Sequence, residues 1–415
     1  MKKTPPVTDA TPDDGQTTSW RPRGNVLALA AVSFLTDASS EIIAPLLPLF
    51  LVGTLGTSVR MVGLIEGAAE AVAALLKLAS GWWSDRVARR KPLIVAGYTI
   101  ASVVRPLVAL AQSGSQVLAI RLVDRVGKGI RGAPRDALLA ASVPVAQRGR
   151  AFGFHRAADH AGAVVGPLIA LACLQGLGMP VRHVFWVAAV PGALAVLVAV
   201  VFVRERRVTP AELKPVASPE PVAAQATATK APLPRTFWSG IAPMVLFTLG
   251  NSTDAFLLLR AAQLGVATAL IPLLWVVLHL VKSASSTPGG ALSDRLGRRP
   301  LIVAGWVLYA AVYAGFAFAE AQWQAWALFA VYGAVFGLTE GSEKALVADL
   351  VPAAQRGTAF GWYHALLGVA ALPASVLFGS VWDVWSSRTA FLAGAGIAIL
   401  ASVWMALQIR PRWVV

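Results

Sequence analysis

The chain has 415 residues, of which 56% are apolar and only 14% are charged. Soluble globular domains carry about 25% charged residues, so this composition excludes an ordinary soluble protein and indicates a surface that largely contacts lipid. The net charge of +15 would suggest nucleic-acid binding in a soluble protein, but the Lys and Arg residues concentrate between apolar segments, where membrane topology explains them. We therefore predict the lipid bilayer, and no nucleic acid, as a partner.

The first half of the chain contains six predicted membrane-spanning helices. A polar, Pro-rich segment, residues 1–25, precedes them and is predicted to be a disordered cytoplasmic tail without the apolar core of a signal peptide. Each apolar stretch has roughly 20 residues or more, enough to cross a hydrocarbon core of ~30 Å at ~1.5 Å per residue. Within the unit 26–203, the predicted helices are 26–51, 61–83, 92–112, 115–139, 149–174 and 182–203.

The second half repeats this arrangement after a linker. Residues 204–236 are dominated by Pro, Ala and charged residues, which predicts a cytoplasmic segment without a core of its own. The second unit, 237–410, contains six further apolar stretches, and a short cytoplasmic tail, 411–415, follows it. These helices are predicted at 238–260, 266–290, 300–319, 322–348, 357–380 and 388–409. The expected fold class is an all-α membrane protein with twelve transmembrane helices.

The basic residues outside the predicted helices are distributed unevenly across the membrane. Most of them lie in the tails, in the linker and in the loops after helices 2, 4, 8 and 10. Positively charged loops stay in the cytoplasm, so this distribution places both termini there. We predict a monomeric, multi-pass protein of the bacterial inner membrane.

Two segments of the first half recur in the second half. Residues 84–98 read SDRVARRKPLIVAGY, and residues 293–306 read SDRLGRRPLIVAGW. VAQRGRAFGFHRA at 145–157 recurs as AAQRGTAFGWYHA at 353–365. Both matches keep the same order and nearly the same spacing. We therefore predict two pseudo-symmetric six-helix bundles, with a binding site near mid-bilayer between them.

Four motifs resemble those of the major facilitator superfamily. GWWSDRVARRKPL (81–93) and GALSDRLGRRPL (290–301) are similar to its loops between helices 2 and 3 and between helices 8 and 9. RVGKGIRGA (125–133) resembles its helix-4 motif, and GAVVGP (162–167) resembles the first part of the helix-5 motif of antiporters. The resemblance implies a carrier that works by alternating access, with no enzymatic activity and no cofactor.

The resemblance also implies roles for residues in these motifs. The loop aspartates are expected to engage a neighbouring helix N-terminus and basic side chains, which stabilises the outward-facing state. Gly162, Gly166 and Pro167 are expected to allow close packing and a bend in helix 5. The residues assigned to gating are Asp85, Arg86, Arg89, Arg90, Asp294, Arg295 and Arg298, with Arg135 and Asp136 near the cytoplasmic end of helix 4.

Ionisable side chains inside predicted helices are functional candidates because each is costly in a bilayer without a partner. Helix 4 carries five basic residues at intervals of three or four, which places them on one face. They are Arg121, Arg125, Lys128, Arg131 and Arg135. Arg125 and Lys128, with Arg131 and Asp124 beside them, are predicted to bind substrate or couple protons. The alternative is that acids such as Asp124 pair this stripe internally and hold the fold.

Helix 1 carries two carboxylates, Asp37 and Glu41, one turn apart on one face. Residues 31–41 align loosely with residues 244–254, so Asp254 of helix 7 stands at the matching repeat position. Close carboxylates at low dielectric repel each other and hold protons more tightly, which predicts that at least one of them carries the coupled proton. The alternative is that salt bridges to helix 4 keep both ionised.

Three further acids complete the candidate site. Asp159 of helix 5 lies one turn from His155, a residue type that titrates near neutral pH. Glu340 and Glu343 belong to helix 10. Ionisable residues inside the helices are more numerous in the first half, which predicts that coupling is concentrated there. No tight cluster of His, Cys or Met is visible in the sequence, so we predict no metal site.

These features predict a secondary active transporter that exports a small organic molecule in exchange for protons. The export hypothesis depends on the antiporter-like segment 162–167. A proton-coupled importer of an organic anion is the alternative, and the helix-4 stripe is its main support. A third hypothesis, a non-transporting membrane sensor, would leave the costly intramembrane charges without a use.

Overall fold

A computed structural model describes residues 24–84, 90–143, 148–205, 232–352 and 355–408. Within these ranges the chain is helical and contains no strand. The expected tail 411–415 lies outside the described residues, as do most of the tail 1–25 and most of the linker 204–236. The assignments made for these segments therefore stay predictions.

Twelve long helices make up most of the described part of the chain, one for each predicted span. They are α1 Asn25–Thr54, α2 Val59–Ser84, α3 Lys91–Leu110, α4 Gly114–Ala141, α5 Arg148–Leu171, α6 Val181–Val201, α7 Arg235–Gln263, α8 Ile271–Leu296, α9 Arg298–Phe318, α10 Gln322–Asp349, α11 Arg356–Val384 and α12 Ser387–Leu407. Nine of these twelve are long and apolar enough to cross a membrane. The other three, α2, α4 and α10, are of similar length but contain more charged residues, and several of these belong to the candidate functional site.

Two of the helices are interrupted. α1 is helical over Asn25–Ile43 and resumes at Leu47, after a turn that contains Pro45. α7 consists of Arg235–Gly250 and Ala255–Gln263, with residues 251–254 between them in a non-helical conformation. Those four residues read Asn-Ser-Thr-Asp, and such side chains compete with the backbone for hydrogen bonds and favour helix ends.

The two halves of the chain pack their helices alike. In the first half, α1 packs on α5 and α6, α2 packs on α4, and α3 packs on α4 and α6. The second half repeats each contact six helices later, with α7 on α11 and α12, α8 on α10, and α9 on α10 and α12. The shared pattern gives the two six-helix bundles that the sequence repeats predicted.

The halves meet mainly along two helix pairs, α2 with α11 and α5 with α8, which exchange under the internal repeat, and α7 makes smaller contacts with α1 and α2. α2 and α11 approach closely because glycines line their contact. A Cβ on Gly67 would lie 2.8 Å from Cα of Leu372, and a Cβ on Gly379 would lie 2.7 Å from Cα of Arg60. Small residues at a helix crossing allow this backbone approach.

Hydrogen bonds join the halves toward one face of the molecule. We call the face where α6 ends and α7 begins the linker face, and the other the closed face. At the closed face, Asp383 of α11 accepts hydrogen bonds from the backbone N–H groups of Val59 (3.0 Å) and Arg60 (2.8 Å) at the start of α2. One turn into α8 from this face, Trp275 donates a hydrogen bond to Glu41 of α1 at 2.8 Å.

Candidate functional site

A cavity of about 570 Å³ lies between the halves, with α2 on one side and α7, α8, α10 and α11 on the other. It extends from the interruption of α7 toward the linker face. Its polar lining consists of Glu66, Glu70, Thr248, Asn251, Ser252, Thr253, Asp254, Lys282, Glu340, Lys344, Tyr363, His364 and Ser375. A polar cavity at bilayer depth between two repeats is where transporters bind substrates and coupling ions.

Asp124 of α4 is buried inside the first half. Its Oδ1 accepts a hydrogen bond from Arg105 of α3 at 3.0 Å, and its Oδ2 lies 3.7 Å from Nε of Arg125. Arg105 also donates to Ser39 Oγ (2.9 Å) and to the carbonyl oxygen of Thr36 (3.2 Å). The Arg105 and Asp124 side chains are only 6% and 4% exposed. Asp124 is therefore bound inside the protein by two arginines.

The other basic residues of the α4 stripe differ in whether they have a partner. Arg121 donates to both carboxylate oxygens of Glu66, at 2.9 and 2.7 Å. The Arg131 guanidinium stacks 4.3 Å from the ring centroid of Tyr98. Lys128 is exposed, and no described residue forms an ion pair or hydrogen bond with its ammonium. Lys128 is thus the cation of the stripe that stays available to a ligand.

The charge pair at the end of α4 and its repeat counterpart in α10 are each satisfied within their own half. Arg135 pairs with the adjacent Asp136 at 2.9 Å. In α10, Glu343 accepts hydrogen bonds from Trp306 Nε1 at 3.0 Å and from the Tyr363 hydroxyl at 3.1 Å. In this conformation, neither pair bridges the two bundles.

The two acids of α1 have different surroundings. Asp37 is half-buried, and no described residue forms an ion pair or hydrogen bond with its carboxylate, although Lys128 and Asp159 both act on it electrostatically. Glu41 accepts the hydrogen bond from Trp275 of the other half. Neither acid is bound to α4 by a salt bridge of the kind that the alternative interpretation required.

Asp159 of α5 is held by neighbours on its own helix. His155 Nδ1 lies 3.6 Å and Arg156 Nη1 lies 3.7 Å from Asp159 Oδ2. The other carboxylate oxygen is buried and accepts no hydrogen bond from the described residues. Asp159 is thus only partly satisfied and lies close enough to influence Asp37.

The helix-5 glycines lie where α5 crosses α1. A Cβ on Gly162 would overlap the carbonyl oxygen of Phe34, and a Cβ on Gly166 would meet that of Ala38. Pro167 lies inside the same helix, which continues to Leu171. The two glycines therefore set the distance between α5 and the segment of α1 that carries Asp37 and Glu41.

In the second half, the cavity wall holds one hydrogen-bonded acid and one ion triad. Asp254, at the interruption of α7, accepts a hydrogen bond from the Tyr332 hydroxyl at 2.7 Å. Glu340 lies between two ammonium groups, Lys344 at 2.8 Å and Lys282 at 3.3 Å. The triad carries one positive charge in excess.

The second half replaces the central ion pair of the first half with tyrosines. Tyr313 and Tyr332 occupy the repeat positions of Arg105 and Asp124. Their ring centroids lie 6.4 Å apart, and the Tyr313 hydroxyl shares a hydrogen bond with Ser252 at 3.3 Å. Equivalent helix contacts are thus made without buried charge in this half.

The loop between α8 and α9 carries the second set of gating candidates. Arg298 pairs with Asp294 and lies 3.5 Å from Asp349 at the end of α10. Arg295 is exposed. These contacts tie α8, α9 and α10 together at the linker face, within the second half.

Most of the first signature loop lies outside the described residues, namely Asp85, Arg86 and Arg89. Arg90, the last gating residue assigned to this loop, precedes α3 and donates its backbone N–H to Glu205 at 3.0 Å. The roles expected for the other three stay predictions.

Five ionisable residues of the cavity were not among the predicted site residues. They are Glu66, Glu70, Lys282, Lys344 and His364. The first four are charged residues inside predicted helices. A prediction that took every such residue as a site residue would have contained them. His364 also lies inside a predicted helix, 357–380, but a single histidine is a weak signal of a site.

The sequence profile of the Major Facilitator Superfamily matches residues 29–279 and 255–413. The chain belongs to the major facilitator superfamily. Proteins of this family are multi-pass membrane transporters of small molecules and not enzymes.

Two proteins of related sequence and one solved structure are similar to this chain over most of its length. An MFS-type transporter of Methanocaldococcus jannaschii is 34% identical over 385 residues, which cover 91% of this chain and 93% of that protein. The multidrug resistance protein MdtG of Enterobacter lignolyticus is 24% identical over 387 residues, or 91% and 90% of the two chains. A bacterial homologue of the human lysosomal transporter Spinster, solved in an inward-facing and occupied conformation, is 17% identical with a TM-score of 0.72 over 92% and 95%. The last likeness shows the fold alone.

Proposed function

We propose that this transporter exports a small organic molecule in exchange for protons and works by alternating access. The observation that carries the proposal is the polar cavity between the bundles. Glu70, in its lining, has no ion-pair partner among the described residues, and neither do Asp37 and Lys128 of the same half. Charges without fixed partners are expensive at bilayer depth unless they serve a ligand or a proton.

Asp37 and Glu41 are the proposed proton carriers. They lie one turn apart on α1, and a carboxylate without a cationic partner in a low dielectric favours its neutral form. Asp37 meets that description, because only longer-range charges act on it. Glu41 also accepts a hydrogen bond from Trp275 of the other bundle. A change in the charge of Glu41 therefore alters a contact between the two bundles.

We assign the linker face to the cytoplasm of a bacterial inner membrane, because basic residues concentrate on that side. The hydrogen bonds at the closed face then seal the outer side. In this orientation the conformation is inward-facing, with the cavity reaching toward the cytoplasm.

Export is supported by the likeness to the multidrug resistance protein MdtG and by the antiporter-like segment 162–167. The alternative, import of an organic anion, rested on the cationic stripe of α4. Arg121 and Arg125 have acidic partners and Arg131 stacks on an aromatic ring, so Lys128 alone supports that alternative.

The test is a flux assay in proteoliposomes with an imposed pH gradient, screened against pools of cationic, zwitterionic and anionic compounds. A proton-coupled exporter acts as an antiporter, so it accumulates its substrate when the lumen is acidic. A proton-coupled importer accumulates its substrate when the external medium is acidic. Accumulation under the second polarity alone would contradict the export proposal.

The same assay tests the proton carriers once a substrate is found. Asp37→Asn and Glu41→Gln should each reduce gradient-driven accumulation while leaving substrate exchange without a gradient largely intact. Glu320→Gln, which changes an exposed acid outside the cavity and away from the gating residues, is the control and should behave as the parent does. Undiminished accumulation in both variants would move the proton to another residue.

A further inference from the structure

The interruption of α7 brings several oxygen atoms that accept no hydrogen bond from the described residues to the wall of the central cavity. The first half-helix ends at Gly250, the second begins at Ala255, and residues 251–254 line the cavity. No described residue donates a hydrogen bond to the carbonyl oxygens of Asn251 or Ser252. Backbone acceptors inside a protein bind water or a ligand when no donor of the chain reaches them, so these carbonyls are available to a ligand in the cavity.

Side-chain oxygens lie on the same segment. The amide of Asn251 makes no hydrogen bond with the described residues and lines the cavity. Asp254 follows three residues later, and its second carboxylate oxygen is free because Tyr332 donates only to Oδ1. A single non-helical turn thus offers carbonyl, amide and carboxylate oxygens together.

Asp254 also has no counter-ion among the described residues. Lys282 acts on it electrostatically, but the Lys282 ammonium lies 3.3 Å from Glu340 and 4.2 Å from the ring centroid of Phe336. No described residue forms an ion pair with Asp254. A half-buried carboxylate without a cation is expensive, and a bound cation would neutralise it.

We propose that the interruption of α7 is a sodium site, with Asp254 and Asn251 as side-chain ligands and the free carbonyls completing the shell. The chemistry favours a hard monovalent cation, since all the available donors are oxygens and only one carries a charge. The C-terminal end of a half-helix and an unwound segment are known to coordinate sodium in transporters. Tyr332 then acts as a positioning residue that orients the carboxylate. The site requires neither a particular substrate nor a transport direction, so it stands apart from the proposed export.

The test is equilibrium binding of radioactive sodium to the purified full-length protein in detergent, in choline chloride at mildly alkaline pH. The parent should bind sodium saturably. Asp254→Asn should abolish binding, Asn251→Ala should weaken it, and Tyr332→Phe should raise the dissociation constant about tenfold, as loss of a hydrogen bond to a liganding carboxylate does. Asp349→Asn, which alters an exposed acid outside the cavity, should bind as the parent does.

Thermal unfolding of each variant distinguishes loss of the sodium site from loss of the folded protein. A variant that melts as the parent does and has lost sodium binding supports the site, and Asn251→Ala serves this purpose if Asp254→Asn is unstable. Absence of saturable binding in the parent would overturn the proposal and leave Asp254 to a proton or to a substrate hydroxyl. Unchanged affinity in both Asp254→Asn and Asn251→Ala would also overturn it, because sodium would then bind elsewhere.

Discussion

Trp275 of α8 donates its indole N–H to the carboxylate of Glu41 in α1 at 2.8 Å, and so links the two bundles. Toward the same face, the Asp383 carboxylate of α11 caps the first N–H groups of α2. Each half thus contributes one acidic acceptor to a bond with the other half. Both bonds must break if the closed face is to open, so they stabilise the present conformation relative to its alternative.

Trp275→Phe is expected to open the closed face more often, because phenylalanine keeps the aromatic packing but cannot donate to Glu41. The measurement is labelling of a cavity cysteine, Ala371→Cys in a Cys173→Ser background, by an impermeant maleimide added from the closed-face side. Trp306→Phe is the matched control, since its indole donates to Glu343 within one half. Equal labelling in the two tryptophan variants would mean that the Glu41 bond does not hold the face shut.

Asp383→Asn should act in the same direction by removing a charged cap from the N-terminus of α2. A helix cap contributes about 0.5–2 kcal/mol, and ~1.4 kcal/mol changes a population ratio tenfold. We expect a severalfold rise in labelling at the same cavity cysteine. Glu320→Gln changes another exposed acid at the closed face and should leave labelling at the parental level. A rise in this control would point to a general loss of surface charge instead.

Arg105 and Asp124 should behave as a coupled buried pair. Removing either partner strands a buried charge and costs about 3–5 kcal/mol of unfolding free energy, whereas neutralising both costs much less. Thermal unfolding of Arg105→Met, Asp124→Asn and the double variant tests this, with recovery of stability expected in the double variant. Arg125→Ala should cost less than Arg105→Met, because Arg125 lies farther from Asp124. Additive losses in the double variant would show that the two residues do not depend on each other.

The helices of this fold could be predicted from sequence because membrane thickness sets the length of an apolar span. All twelve predicted spans coincide with helices, eleven of them to within four residues at each end, whereas 266–290 corresponds to a helix displaced to Ile271–Leu296. The repeated segments correctly indicated two similar bundles. The interruption of α7 was not predicted. Residues 251–254 were included in one continuous span because their neighbours are apolar, although the Asn-Ser-Thr-Asp run is a helix-ending signal.

The site was harder to predict because partners depend on how helices are rotated against each other. The spacing on α4 predicts one basic face but could not reveal that Asp124 pairs with Arg105 of α3. Counting charges favoured the first half, yet most of the cavity wall comes from the second half. Residues there such as Asn251 and Thr248 carry no charge, so a search for charged groups in the sequence does not find them.

Two adjacent glycines of α8 test how helix packing positions the ion triad. α8 crosses α10 where a Cβ on Gly289 would overlap the carbonyl of Gly337, whereas a Cβ on Gly290 meets open space. The same crossing brings Lys282 to within 3.3 Å of Glu340.

Gly289→Ala should therefore push α8 away from α10, cost about 1–3 kcal/mol through overpacking and weaken the Lys282–Glu340 contact. Gly290→Ala should be neutral or stabilising by up to ~1 kcal/mol, because alanine favours the helix and nothing obstructs its methyl group. Thermal unfolding of both variants in detergent measures the change in stability relative to the parent. We expect a loss for Gly289→Ala and no loss, or a gain, for Gly290→Ala. Adding Glu340→Gln should cost less in Gly289→Ala than in the parent, since the ion pair is already weakened there. Equal melting temperatures for the two glycine variants would show that the crossing has room to relax and that packing at Gly289 does not set the position of Lys282.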